Sequence, residues 1–170
     1  KKANELIFEY PSFADLIKEQ ITAAEAVMSE AESISDEKAK IEKMGVAGSL
    51  LRTKFISNLD NIKSTIQSLQ SKSVEVRALN LQYNERVSAE QAVSNGESVI
   101  INAQEKIKST VKNRSEAEAL SGLVLSNLKA AEDNIDKVIK IVKDREAGEK
   151  KATQEKIDKE KAAQAKVEAE

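Results

Sequence analysis

Apolar side chains recur every three or four residues along most of this chain, and only one proline and five glycines are present to interrupt them. That spacing gathers apolar groups on one face of an α-helix. A β-sandwich of this size would need many more turn residues. Aromatic residues make up only 3% of the chain, so the core must be aliphatic. Ala, Glu, Lys, Leu, Ser and Ile dominate, which is the profile of long helices. The expected fold is all-α: an elongated antiparallel helical bundle built on a long helical hairpin, with a charged C-terminal helix. A chain of 170 residues is enough for one domain with an apolar core.

The apolar pattern divides the chain. Pro11-Ser12-Phe13-Ala14-Asp15 reads as a helix start, with Ser12 as cap and Asp15 at the positive helix end. Phe13, Leu16, Ile17, Ile21, Ala24, Val27, Met28 and Ala31 carry that helix to about Ser33, while residues 6–10 are placed across the end of the bundle. Ser35-Asp36 caps a short helix to Met44, which Gly45 ends in a left-handed cap, and Ser49 starts the next. Leu51, Phe55, Leu59, Ile62, Ile66, Leu69, Val76, Tyr83 and Val87 form a long stripe with a weak point at residues 71–73. Asn95-Gly96 is the clearest turn signal. After it come Ile100, Ala103, Ile107 and Val111, a capping box at residues 115–118, and a stripe from Leu120 to Val142. Residues 49–94 and 97–142 match in length, about 70 Å each if continuous, and this favours a long hairpin turning at Asn95-Gly96; breaks near Ser73 and Ser115 would give a shorter bundle with more helices. The segment 74–83 puts apolar residues on more than one face and reads either as a helix buried between neighbours or as an interaction surface.

The helical bundle is assigned to residues 1–142 and a charged helical tail or protruding helix to 143–170. In the latter, Ile157 and Val167 are the only large aliphatics, and eight basic residues face eight acidic ones. Pairs such as Glu155 and Lys159 support a solvated helix.

The formal net charge of −2 hides an uneven distribution. From Glu5 to Glu42 ten acids meet three lysines, net −7; from Lys43 to Arg114 eleven basic residues meet six acids, net +5. Such a dipolar molecule can steer a basic partner to one end. Glu25, Glu30 and Glu32 in the acidic part, together with Tyr83 and Arg86, of residue types enriched at binding hot spots, are the candidate partner-binding residues. The near-neutral total argues against nucleic acid, which needs a basic face.

The chain has no His and no Cys. A hydrolase would then need a carboxylate dyad, a Ser–Lys pair or a metal held by oxygens alone. The sequence contains no Gly-rich phosphate loop, no HExxH and no calcium-loop pattern. No enzyme activity, cofactor or metal is expected. No apolar run approaches the roughly 18 residues of a membrane span. The opening Lys1-Lys2-Ala3-Asn4 reads as a trimmed mature form, which a removed lipidated cysteine or a cut boundary would equally leave.

The long Lys/Asn/Ile/Ser/Glu-rich helices, with segments such as LLRTKFISNLDNIKSTIQSLQ (50–70) and NLKAAEDNIDKVIKIVK (127–143), resemble the α-helical outer-surface lipoproteins of Borrelia. Within that group the size is similar to the factor H-binding lipoproteins of relapsing-fever species. The resemblance implies a protein held to the outer membrane at the bacterial cell surface by a lipid anchor, recruiting host factor H for complement evasion and virulence. Binding of fibronectin or of initiating complement proteases is the neighbouring alternative, and an intracellular coiled-coil structural protein is the competing class. The resemblance carries over no functional residue.

Overall fold

The computed structural model describes residues 2–167. They form α1 (Lys2–Glu9), a 3-10 turn (Pro11–Phe13), α2 (Ala14–Glu32), α3 (Glu37–Leu50), α4 (Lys54–Ala78), α5 (Tyr83–Lys106) and α6 (Arg114–Val167), with no strand among the described residues. The protein is an all-α helical bundle. Lys1 and the last three residues of the charged tail lie outside the described residues.

The centre is three helices. Asn58 donates to Ser121 (3.1 Å), Lys72 to Glu132 (2.9 Å) and Asp136 (2.7 Å), and Lys143 to Glu75 (2.7 Å), so α4 and α6 run in parallel. Arg77 pairs with Glu97 and Arg145 with Glu85, so α5 runs antiparallel to both. The stripes are buried as expected, but α4 and α6 meet in parallel and not as the two arms of an antiparallel hairpin: Leu59, Ile62, Leu69 and Val76 of α4 and Val124, Leu128, Ile135 and Val142 of α6 are all buried. Each such side chain is worth about 1.5–3 kcal/mol when removed from water.

The hairpin turn is not at Asn95-Gly96. α5 runs through both residues, and Gly96 is buried. A Cβ there would lie 3.2 Å from Ile135 Cδ1 and 3.7 Å from Leu69 Cδ2. The glycine lets α5 press against α6 and α4 instead of reversing the chain. The reversal falls at residues 79–82, where Leu79 (ψ 148°) and Gln82 (ψ 165°) are extended. This accounts for the apolar residues on more than one face over 74–83: the segment is not one helix, since α4 ends at Ala78 and α5 begins at Tyr83. The long element is α6, whose 54 residues span about 80 Å.

Other helix boundaries also move. α3 continues through Gly45 and Gly48 to Leu50, and no glycine of the described residues has a positive φ, so Gly45 is not a left-handed cap. Thr53, not Ser49, is the N-cap of α4, and Ser49 donates back to the Gly45 carbonyl instead. The start of α6 is capped two residues before the expected box: Asn113 accepts from the Glu116 amide (3.0 Å), and Glu116 accepts from the Lys112 amide (2.9 Å). α4 crosses residues 71–73 unbroken, with buried Ser73 bonded to the Leu69 carbonyl (2.8 Å). Ser12 does not cap a helix; it lies inside the 3-10 turn and donates to the Lys108 carbonyl (2.7 Å).

Residues 6–10 pack across one end of the bundle. Leu6 and Tyr10 are buried, the Tyr10 hydroxyl donates to the Leu59 carbonyl (3.3 Å), and Phe13 stacks on Phe55 at 6.4 Å between ring centres. Burial first, then Glu9 and Asp60, raise the Tyr10 pKa. At the other end Arg145 ties α6 to the α4–α5 turn, donating to Glu85 (2.8 Å), Glu149 (2.9 Å) and the Asn80 carbonyl (2.7 Å). From Ala147 to Gln164 every side chain is exposed.

Candidate functional site

α2 and α3 form a hairpin of their own. They pack on each other, and α2 also meets α1 and the 3-10 turn, but neither packs substantially on α4, α5 or α6. Asp36 starts α3 as expected, accepting from the Lys38 amide (3.2 Å), and Ser33 closes α2 by donating to the Glu30 carbonyl (2.7 Å). Between Ile17 and Thr53 the only buried side chains are alanines: Ala24, Ala31 and Ala47. Alanine at each contact lets the helices approach closely, but little apolar surface is hidden. Ile41 is 63% exposed, Met44 42% and Val46 52%. α1, α2 and α3 form a groove of about 590 Å³ whose lining includes Ile21, Met28, Met44 and Leu51, with Glu25 and Glu32 as its only charged groups among the described residues.

The hairpin carries the acidic residues singled out from the sequence. Glu25 and Glu32 are exposed at the groove. Glu30 is exposed but paired across the hairpin with Lys43 at 2.7 Å. Tyr83 and Arg86 sit elsewhere. Tyr83 opens α5 with 88% of its surface exposed. Arg86 lines a cleft of about 480 Å³ between α4 and α5, with Val76, Leu81 and Val93, and makes no ion pair among the described residues. α4, about 37 Å long, separates the turn beside Tyr83 from Phe55 at the base of the hairpin. The structure therefore keeps the three glutamates together and leaves Tyr83 and Arg86 apart from them. The sequence places Met28 on the core stripe of α2, Met44 at a helix end and Gly48 in a loop after it; the structure puts all three at the groove, with Gly48 inside α3. The groove's signal was an apolar pattern on α3 that is not confined to one face.

A second cleft of about 780 Å³ lies between α4 and α5, lined by Ile62, Ile66, Ala103 and Ile107 with Gln67 and Gln104 among its walls. The two clefts flank the close approach at Gly96. The ionisable groups with displaced pKa values serve the bundle. Hydrogen bonding from Arg145, then from the Gln82 amide, holds Glu85 below the usual carboxylate range. Partial burial acts to lower the Lys72 pKa, but its bonds to Asp136 and Glu132 outweigh burial and raise it. Among the described residues no cluster of three or more acids could hold a metal ion, and no helix is long and apolar enough to cross a membrane.

The fold and this surface define a class: an all-α helical bundle with an acidic helical hairpin beside its three central helices. No family model, no curated protein and no solved structure matches the chain.

Proposed function

We propose that this is a non-catalytic binding protein that uses the acidic α2–α3 hairpin to hold a partner with a basic face. The observation that carries the reading is the segregation of charge onto a separate element. Residues 14–50 hold eight acids and four lysines, on a hairpin that the central helices scarcely cover. Acids spread over a bundle would be neutralised by neighbouring helices, whereas acids on an uncovered hairpin project a field that steers association.

The resemblance to the outer-surface lipoproteins of Borrelia supports a host serum protein as the partner, factor H first, and a lipid-anchored position on the bacterial surface. Capture is expected to weaken as salt rises, because exposed charges are screened over about 8–10 Å at physiological ionic strength. Immobilised protein should retain factor H from serum at low salt. Reversal of Glu25, Glu30 and Glu32 to Lys should slow association more than it speeds dissociation. Absence of factor H from the retained fraction would falsify the partner. Retention untouched by the triple reversal would remove the hairpin as the site. Retention of fibronectin or of a complement protease in its place would select the neighbouring alternative.

A further inference from the structure

Two helices can bury only the stripe each turns to the other, and on α2 and α3 alanines occupy that stripe. Nine larger aliphatics between Ile21 and Leu51 all keep some exposure to water. A stable layer of helices hides its apolar face against a further element, and α1 supplies only one short wall. Gly45 and Gly48 point the same way. Both lie inside α3, neither has a positive φ, and a Cβ on either would meet nothing within 4 Å. Neither turn geometry nor packing within the chain calls for a glycine there. At Gly48, which lines the groove, the bare backbone admits another backbone at close range. Met28 and Met44 beside it can adapt their shape to what enters.

We infer that the groove between α1, α2 and α3 seats an amphipathic helix of another protein, apolar on one face and flanked by Lys or Arg. The inference rests on the reading above for the site and adds how the partner is held. α3, 14 residues long, offers about 21 Å of wall, which matches a helix of about four turns laid into a groove. Glu25 and Glu32 stand at the groove with no cation in its lining among the described residues, so flanking cations on the incoming helix find acceptors. A second copy laid hairpin against hairpin would bring the same acidic excess, which disfavours that pairing.

The test uses the full chain and a fluorescent 18-residue helical peptide with leucines on one face and lysines at its flanks. Two control peptides have the same residues permuted to destroy the face, or glutamates in place of the lysines. Protein variants are Gly48→Phe, which fills the groove, and Met44→Ser, which removes part of its apolar lining; circular dichroism verifies their folding. Saturable binding of the first peptide alone is expected, weakened about tenfold or more in Gly48→Phe, the scale of a hot-spot loss. Equal binding of the permuted peptide, or undiminished binding to both variants, overturns the proposal. So does a dimer seen by sedimentation that Gly48→Phe abolishes, since the groove would then belong to a second copy. Serum capture on the same variants separates the two readings. Peptide binding without factor H retention removes the proposed partner and leaves the groove. Factor H retained equally by Gly48→Phe and the parent removes the groove and leaves the partner.

Discussion

A Cβ placed on Gly96 meets Ile135 at 3.2 Å, while one on Gly45 or Gly48 meets open space. Identical residues in helix interiors therefore respond oppositely to substitution. Gly96→Leu is expected to overpack the α4–α5–α6 contact and cost about 1–3 kcal/mol. Gly45→Ala and Gly48→Ala should each stabilise by about 0.4–1 kcal/mol, by restricting the unfolded chain at positions whose φ suits alanine. Urea melts of the three variants check both signs. A second residue-scale expectation concerns Glu85, whose folded pKa is depressed chiefly by Arg145. Its stabilising contribution is present above the unfolded carboxylate value of about 4.3 and is lost as pH falls through the lower folded value. Glu85→Gln should thus be less stable than the parent at neutral pH, and the gap should narrow in melts as pH falls below the usual carboxylate range. Asn95-Gly96 shows where local reading fails. The dipeptide is a strong turn signal by itself, yet Ala89, Val93, Gly96, Ile100 and Ala103 keep helical spacing across it and are all buried. The missing side chain served packing, and only the neighbouring helices reveal which use applied.

At the scale of elements, stripes were far more legible than ends. The aliphatic faces of α4 and α6 follow from their spacing, because apolar burial dominates helix stability and leaves a periodic trace. Leu59 and Leu128 are fully buried. Truncating either to Ala should cost about 2–5 kcal/mol, seen as a lowered urea midpoint. Helix ends are set by a few hydrogen bonds that several neighbouring residues could supply. Asp36 caps α3 as its sequence context suggests, but Asn113 caps α6 where Ser115 was the expected choice. The parallel course of α4 and α6 was not legible, since it depends on where two short connections fall. Beyond Glu149 residues 150–164 are exposed throughout. Deleting residues 150–170 should shift the melting temperature only slightly. A large drop in calorimetry would mean that this segment packs, in solution, against something.

For the whole molecule, the acidic excess of the N-terminal part was countable in the sequence, and it lies on one hairpin. That Tyr83 and Arg86 stand at the far end of α4 from it could not be counted, because separation in space depends on the tertiary path. The groove was hidden for the same reason: α3 has apolar residues on several faces, and only the absence of a covering helix makes them conspicuous. One feature of α6 has a mechanical side. Its first part is gripped along α4 and α5, with Arg145 and then Glu149, which accepts from Gln82 (3.2 Å), as the last clamps. The following stretch to Val167 is a continuous helix, and its last 18 residues form an arm of about 27 Å. A stiff arm fixed at one end amplifies rotation. A tilt of about 10° at the clamp carries the tip through about 5 Å, given that length. A rearrangement around Arg145 and Glu149 that tilted the helix would therefore be enlarged at its tip, as at the end of a lever.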